Sequence, residues 1–538
     1  LPSEENPNKQ NPSHKNPIRV HPRFLFHHNH SLGELLFLGG SNFFMLSTLA
    51  FILYLAASAG LLLYGLNCYV MLLLFSRKIK IIREQQLATE AAWQAEHPAG
   101  TDEGLPKVTT QLPLYNEFNV AERAIRAIAA FDYPAHLHQI QVLDDSTDET
   151  RGLVDSVAEE LREKGIRIDV FRREVRSGYK AGALSDAMPS AHGEFIAIFD
   201  SDFVPEPDFL RRMLPHFHDE KTGLVQSRWG HLNRKESLLT RAQSVGIDGH
   251  FGIEQTARSA NHLFLNFNGT AGVWRRTTIE DAGGWTSDTL TEDLDLSYRA
   301  QLRGWHLEYV PDVVVPAEIP ETYSAFKSQQ FRWAKGSIQT AKKLLPTIFR
   351  SDKPLFTKLQ TVFHLCHYFA HPLMFFLAIL ALPALKHLGG ELPPLWLAVF
   401  IIPLLFSTLG PTVLYTFSQR HLHPHDWKAR IALLPALVLV GFGICISNTR
   451  AVGEALLGIE SGFIRTPKRG TKVTKSYKTT ASLIPILEIL AAVYCAISLG
   501  IYASNQIYGI VPFLFLYVAG FALVGISSLR EQSHDRKA

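Results

Sequence analysis

Two textures alternate along the chain: long unbroken apolar runs towards both ends, and a middle where short apolar runs and helical periodicities take turns. Phe44 to Phe75 is apolar for longer than the ~20 residues that cross a bilayer, which predicts one long, tilted transmembrane helix. Five more apolar stretches follow, at Leu359 to Leu385, Pro394 to Phe417, Ile431 to Ile446, Leu483 to Ala503 and Ile507 to Ser527. Arg77, Lys78, Lys80 and Arg83 place the segment after the first helix in the cytoplasm, and Arg530, Arg536 and Lys537 do the same for the tail. An even number of spans must then separate the middle from the tail. Ile431 to Ile446 is short and runs into Asn448, Arg450 and Glu454, so it is expected to lie at the interface or to re-enter.

The middle reads as strand, helix, strand. Val108 to Leu112, Ile140 to Leu143, Ile166 to Phe171 and Phe195 to Phe199 are predicted strands, and Glu117 to Phe131 and Asp148 to Lys164 are predicted helices. This order predicts a mainly parallel sheet covered by helices, with ligands gathering at the carboxyl ends of its strands. Asp144 and Asp145 end the second strand as Asp200 and Asp202 end the fourth, so two acidic pairs fall on one edge.

The expected organisation is a surface tail over 1–43, a transmembrane helix over 44–76, a polar linker over 77–104 and a catalytic unit with interfacial helices over 105–345. Two spans over 355–418 come next, then an interfacial helix over 429–458, a loop over 459–475, two spans over 481–528 and a tail over 529–538. A formal charge of +3 on 538 residues, without a basic run in the middle, excludes nucleic acid as the expected partner. Cys68, Cys366, Cys445 and Cys495 each stand alone in apolar surroundings, which predicts packed thiols and no zinc site or disulfide framework.

Asp200-Ser201-Asp202 can share one divalent cation, on hard oxygen ligands, with a diphosphate. A solvated acidic loop is the plain alternative for those residues alone. Lys180 sits in a glycine-flanked turn before a helix, where it can reach a phosphate. Thr291-Glu292-Asp293 opens a helical pattern, with Thr291 a plausible cap and Asp293 the candidate base. Gln329-Gln330-Phe331-Arg332-Trp333 lies in an amphipathic helix, where Gln329 and Arg332 share a face. Arginine suits a diphosphate, and Trp333 offers either a flat face for a sugar or a membrane anchor. His364, His367 and His371 recur at helical spacing inside an apolar stretch and are read as polar lining or packed histidines.

Asp145, Asp200-x-Asp202, Thr291-Glu292-Asp293 and Gln329-x-x-Arg332-Trp333 occur in one order that resembles the processive membrane β-glycosyltransferases of family 2, the cellulose synthase superfamily. Val225 to Trp229, Phe267 to Gly272 and Ala282 to Trp285 give it the flavour of the mannan synthase and xyloglucan-backbone glucan synthase branch. The resemblance covers roughly 105–530 and implies an α/β GT-A-type, Rossmann-like catalytic domain inserted in a multi-pass helical membrane region. It assigns Asp145, Lys180 and, in support, Asp144 to the nucleotide, and Asp200 and Asp202 to nucleotide and Mg²⁺ or Mn²⁺. Glu292 and Thr291 accompany Asp293 as the catalytic triplet; Arg332 binds diphosphate, Gln329 and Trp333 bind acceptor, and Asn268, Gly269 and Thr270 line the acceptor's approach. Phe463 to Lys468 resembles the loop that closes over the nucleotide, which adds Arg465, Thr466 and Lys468.

The implied reaction is inverting, processive polymerisation of a β-linked hexan from UDP-glucose or GDP-mannose, with the polymer passing between membrane helices. Implied partners are the donor, the growing polysaccharide and membrane lipids. The implied location is the cytoplasmic face of a plasma membrane in a bacterium, or of the Golgi in a plant. Single transfer of a hexose to a membrane lipid, and a transporter with a nucleotide-binding domain, are the alternatives. No segment resembling an accessory cyclic-dinucleotide-binding unit is found.

Overall fold

The computed structural model describes residues 41–98, 102–387, 394–462, 470 and 482–537. Seven strands form one sheet: β1 Val108–Leu114, β2 His138–Asp144, β3 Ile168–Phe171, β4 Phe195–Ile198, β5 Thr222–His231, β6 Gly272–Arg275 and β7 His306–Ala317. Their spatial order is β3-β2-β1-β4-β6-β5-β7. The first four run parallel, as the alternation predicts, with Leu114 opposite Asp144 and Gln111 opposite Ile198. Asp144 and Asp200 therefore leave the sheet on the same edge.

The sheet is mainly parallel, as expected, with one reversed strand. β6 runs antiparallel to both β4 and β5, while β5 and β7 pair in parallel. Gly269 and Ala271 take positive φ values of 84° and 54° just before β6, which turns the chain back beside β4. Gly272 then faces Ile198, and the preceding Asn268-Gly269-Thr270 is delivered to the carboxyl end of β4.

Both faces of the sheet are covered. On β4, Phe195 and Ala197 join one apolar core and Ile196 and Ile198 the other, which is why the strand reads as a continuous apolar run. Helix α1 covers Ser41–Glu96, with α2 at Ala121–Ala129, α3 at Thr150–Glu163 and α4 at Tyr179–Ala187. α5 follows at Leu238–Gly249, α6 at Glu292–Leu302 and α7 at Tyr323–Arg350. Ile125 and Ile128 of α2 and Val154 and Val157 of α3 pack in the first core, and Leu184 of α4 and Leu296 of α6 in the second.

α1 runs on through Glu96, into the stretch expected as a polar linker. Its 56 residues form one helix, roughly 84 Å long at ~1.5 Å per residue, so it far exceeds a ~30 Å hydrocarbon layer. The Ala-, Glu- and Gln-rich stretch is a good helix former and docks on the catalytic unit. Gln86 donates to Glu308 at 3.1 Å and to the Tyr309 carbonyl at 2.9 Å, and Arg83 pairs with Asp312 at 2.9 Å.

Beyond α7, helices α8 Leu355–Leu365, α9 Ala370–His387, α10 Pro394–Leu422, α11 Leu434–Gly443, α12 Cys445–Leu457, α13 Ile484–Ser504 and α14 Val511–Lys537 follow. Among the described residues, five helical segments are long and apolar enough to cross a membrane: Met45–Glu96, His367–Leu385, Ala398–Leu422, Ile484–Ser504 and Val511–Ser533. The protein is thus a membrane protein. Leu359 to Leu385, read as one apolar stretch, is broken between α8 and α9 by a short turn at His367–Phe369. The stretch expected to lie at the interface or to re-enter, 429–458, falls in two helical segments, Trp427–Gly443 and Cys445–Leu457, bent by 45°. The four cysteines are free thiols.

Candidate active site

The carboxyl edge of the sheet, the start of α6 and the first turns of α7 meet in one cleft. Asp145, Lys180, Asp200, Asp202, Asn268, Gly269, Thr291, Glu292, Asp293, Gln329, Arg332 and Trp333 all line it. Of the residues expected at the site, the structure leaves Asp144 outside. Its carboxylate is wholly buried, accepts from Arg172 Nε at 3.0 Å and from its own loop at Ser146 N, and does not reach the cleft. Thr270 is buried beneath the cleft, where its Oγ1 accepts from the Asp200 N–H at 2.8 Å. Arg465, Thr466 and Lys468 lie outside the described residues.

Lys180 is the second residue of α4, after Gly178 at φ 67°. Its Nζ donates to Asp200 Oδ1 at 2.5 Å and to the Gly269 carbonyl at 2.9 Å. Burial disfavours its charge, but Asp200, Glu292 and Asp293 outweigh that and hold its pKa above the usual value. An ammonium thus stands beside Asp200 where a cation is wanted. Among the described residues no group of three or more His, Cys, Asp or Glu side chains could hold a metal unaided. Asp200 and Asp202 fit a divalent ion that completes its shell with diphosphate oxygens and water, the habit of Mg²⁺.

Glu292 and Asp293 start α6. Thr291 does not cap this helix by its side chain; its Oγ1 instead lies 3.4 Å from Thr340 Oγ1, across the close approach that Gly336 of α7 permits. The expected side-chain cap is not made: the Thr291 hydroxyl is engaged with α7 and not with the N–H groups of α6. Burial, then the Glu292 charge, push the Asp293 carboxyl up to about 7. Glu292 is itself raised, by burial first, against the pull of Lys180 and Arg332. Helix starts normally lower an acid's pKa, and here burial beside a second carboxylate wins. Arg332 is lowered by burial, opposed by Glu292, Asp200 and Asp293. Gly269 sits between these groups: a Cβ there would lie 3.1 Å from Asp293 Oδ2.

Trp333 faces the cleft with Trp229 of β5, their ring centroids 6.5 Å apart, so it is not a membrane anchor. Asn268 is fixed from below, its Nδ2 3.2 Å from His250 Nε2 and its Oδ1 accepting from Gln255 at 2.6 Å.

Arg176 and Trp229, which no sequence expectation places at the site, also line the cleft. Arg173 clasps Asp145 with two hydrogen bonds, at 3.0 and 2.6 Å, and Arg176 stacks its guanidinium 3.5 Å over the Tyr115 ring. The basic spacing of Arg172, Arg173 and Arg176 just before Gly178 was the available signal. Trp229 closes the Val225 to Trp229 motif, and only its contact with Trp333 of α7 brings it to the site.

Residues 106–336 match a family model described as glycosyltransferase like family 2. The chain is 41% identical over 305 residues to glucomannan 4-beta-mannosyltransferase 2 of Arabidopsis thaliana, covering 55% of this chain and 57% of that protein. It is 34% identical over 450 residues to glucomannan 4-beta-mannosyltransferase 7 of the same plant, covering 78% and 77%. The first alignment spans little more than half the relative's length and the second more than three quarters. A solved mannosyltransferase from Pyrobaculum calidifontis, in complex with GDP-Man and Mn²⁺, superimposes with a TM-score of 0.48 at 20% identity, over 76% of this chain and all of that one. The chain belongs to the family 2 glycosyltransferases, in the cellulose-synthase-like branch that also holds the glucomannan 4-beta-mannosyltransferases.

Proposed function

We propose that this protein is an inverting hexosyltransferase that extends a β-linked hexan, a mannan, glucan or glucomannan with β-1,4 linkage, from a nucleotide-sugar donor. The observation that carries the reading is the single cleft in which a carboxyl group raised to about 7, Asp293, stands among Lys180, Asp200, Asp202 and Arg332, with Trp229 and Trp333 alongside. A raised, partly desolvated carboxylate is matched to taking a proton from a sugar hydroxyl near neutral pH. Lys180 and Arg332 are cations suited to the charge that develops on a departing nucleoside diphosphate. A Mg²⁺ or Mn²⁺ ion held by Asp200 and Asp202 supplies further neutralisation of that charge.

In this reading Asp293 deprotonates the acceptor hydroxyl, which attacks the anomeric carbon from the face opposite the diphosphate, so an α-linked donor gives a β-linked product. Glu292 holds Asp293 in its raised state, and Thr291 fixes the start of α6 against α7. Asp145, oriented by Arg173, and Lys180 hold the nucleotide. Gln329, Trp333, Asn268 and Gly269 bind the acceptor, with Thr270 fixing that turn beneath Asp200. Aromatic faces let a glycan advance without deep hydrogen-bond traps. The catalytic unit works at the cytoplasmic face, and the polymer leaves between the apolar helices. The mannosyltransferase relatives favour mannose as a transferred sugar.

The test uses purified protein in lipid vesicles with Mg²⁺ or Mn²⁺ and radiolabelled GDP-mannose or UDP-glucose in parallel. Insoluble polymer from either donor, absent with Asp293→Asn, is the expected result. Label confined to a small lipid-soluble product overturns polymerisation and leaves single-hexose transfer.

A further inference from the structure

Helix α7 carries Gln329, Arg332 and Trp333, and charged groups from three membrane-side helices bracket that segment. At its start the Glu531 carboxylate of α14 accepts from Tyr323 N at 2.8 Å, Ser324 N at 2.9 Å and Ser324 Oγ at 2.7 Å. A carboxylate from another helix thus satisfies the free N–H groups of the first turn. One turn on, Lys327 Nζ donates to both oxygens of Glu488 of α13, at 3.1 and 3.0 Å, and the Glu488 side chain has no exposure. Gln330 accepts from Tyr368 in the turn before α9 at 3.2 Å. Past Trp333, the wholly buried Lys335 bonds Glu454 of α12 at 2.9 Å and Ser461 at 2.7 Å.

Apolar packing alone holds a helix against a bundle but leaves its rotation and axial position loosely set. Directional charge pairs on either side of residues 329–333 fix both. Buried pairs are a poor source of net stability compared with apolar residues of equal volume, so their presence here points to specificity of position. We propose that Lys327, Lys335, Glu454, Glu488 and Glu531 are positioning residues through which the membrane helices set the register of the acceptor-binding residues on α7. They touch neither donor nor reacting atoms. The inference rests on the reading of the cleft as a glycan site. Its consequence is that loosening the pairs weakens hold on the acceptor through Gln329 and Trp333 and lowers kcat through Arg332, which meets charge that develops only as the diphosphate departs, while donor affinity, set by Asp145 and Lys180 outside α7, is kept.

The test compares full-length wild type with Lys327→Met/Glu488→Met, the exchange Lys327→Glu/Glu488→Lys, and Glu531→Gln, all in lipid vesicles. Amide hydrogen exchange over residues 323–336 is measured with KM for nucleotide-sugar donor and for a soluble β-1,4-linked oligosaccharide acceptor. The double Met variant and Glu531→Gln are expected to exchange faster over α7 and to raise the acceptor KM about tenfold with the donor KM within about twofold, a split that general misfolding does not produce. The charge exchange restores the acceptor KM. Unchanged acceptor KM and exchange in both variants, or donor and acceptor KM rising together, overturns the proposal. Should wild type transfer only one hexose, polymerisation fails while the acceptor KM still decides this inference.

Discussion

At the scale of single residues, the site turns on a carboxylate placed where its charge is costly. Burial and the neighbouring Glu292 raise Asp293, the proposed base, to about 7, and a base works only when ionised. The rate of transfer, read as kcat/KM, is therefore expected to fall as pH drops through that value. Glu292→Gln removes the like charge, lowers the pKa of Asp293 and moves the acid limb to lower pH; an unmoved limb excludes the coupling. Asp293→Asn is expected to cost about 10²- to 10⁴-fold in kcat, measured by nucleotide release, the usual range for losing a general base. Gly269→Ala tests the crowding between Lys180 and Asp293. Its φ of 84° disfavours any Cβ by roughly 1–2 kcal/mol, and the Cβ meets Asp293 Oδ2, so a several-fold or greater loss of kcat is expected in protein that still folds. The residues legible beforehand were those whose chemistry is local: the acids ending β4, the lysine in its glycine turn, the acids opening α6. Asp144 and Asp145 look alike in sequence, and only the structure separates them, because consecutive strand-end residues point opposite ways, one to Arg172 beneath and one to the cleft with Arg173.

Elements matter here through how closely they pass. β6 was not legible as antiparallel because its four residues give no directional signal; its direction is fixed by the positive-φ turn at Gly269 and Ala271 and by pairing with β4 and β5. That reversal brings Thr270 and Gly269 to Asp200 and Lys180. α6 and α7 meet at Thr291 and Gly336, where a Cβ on Gly336 would come within 2.5 Å of Thr291 Cγ2. Gly336→Ala is therefore expected to push α6 off α7, displacing Glu292 and Asp293 from Arg332. Steady-state kinetics should give a large fall in kcat with the donor KM little changed; an intact kcat means that the two helices adjust without moving the acids.

For the whole molecule, the catalytic unit and the membrane helices are joined by more than the chain. α1 runs on from its apolar half and docks Gln86 on β7, and α13 and α14 grip α7 through Glu488 and Glu531. The proposed metal belongs to this scale, because the protein offers two carboxylates and the donor must supply the rest. Treatment with EDTA is expected to abolish transfer and to weaken donor binding by calorimetry, with Mn²⁺ or Mg²⁺ restoring both. Asp202→Asn should blunt the restoration. Full transfer in EDTA excludes the ion from the mechanism.

By itself the sequence determined the division into apolar ends and an α/β middle, since bilayer-length apolar runs and alternating short strands need no tertiary context to be read. It also determined the common edge of Asp145 and Asp200, because parallel strands joined by helices put their carboxyl ends together. Only the tertiary structure decided which neighbours each charge meets. Asp293 is buried where the start of α6, α7 and the Gly269 turn meet, and Trp229 faces Trp333 because β5 lies beside α7. These are contacts between segments far apart in the chain, and no local pattern of residues encodes a distance across such a gap.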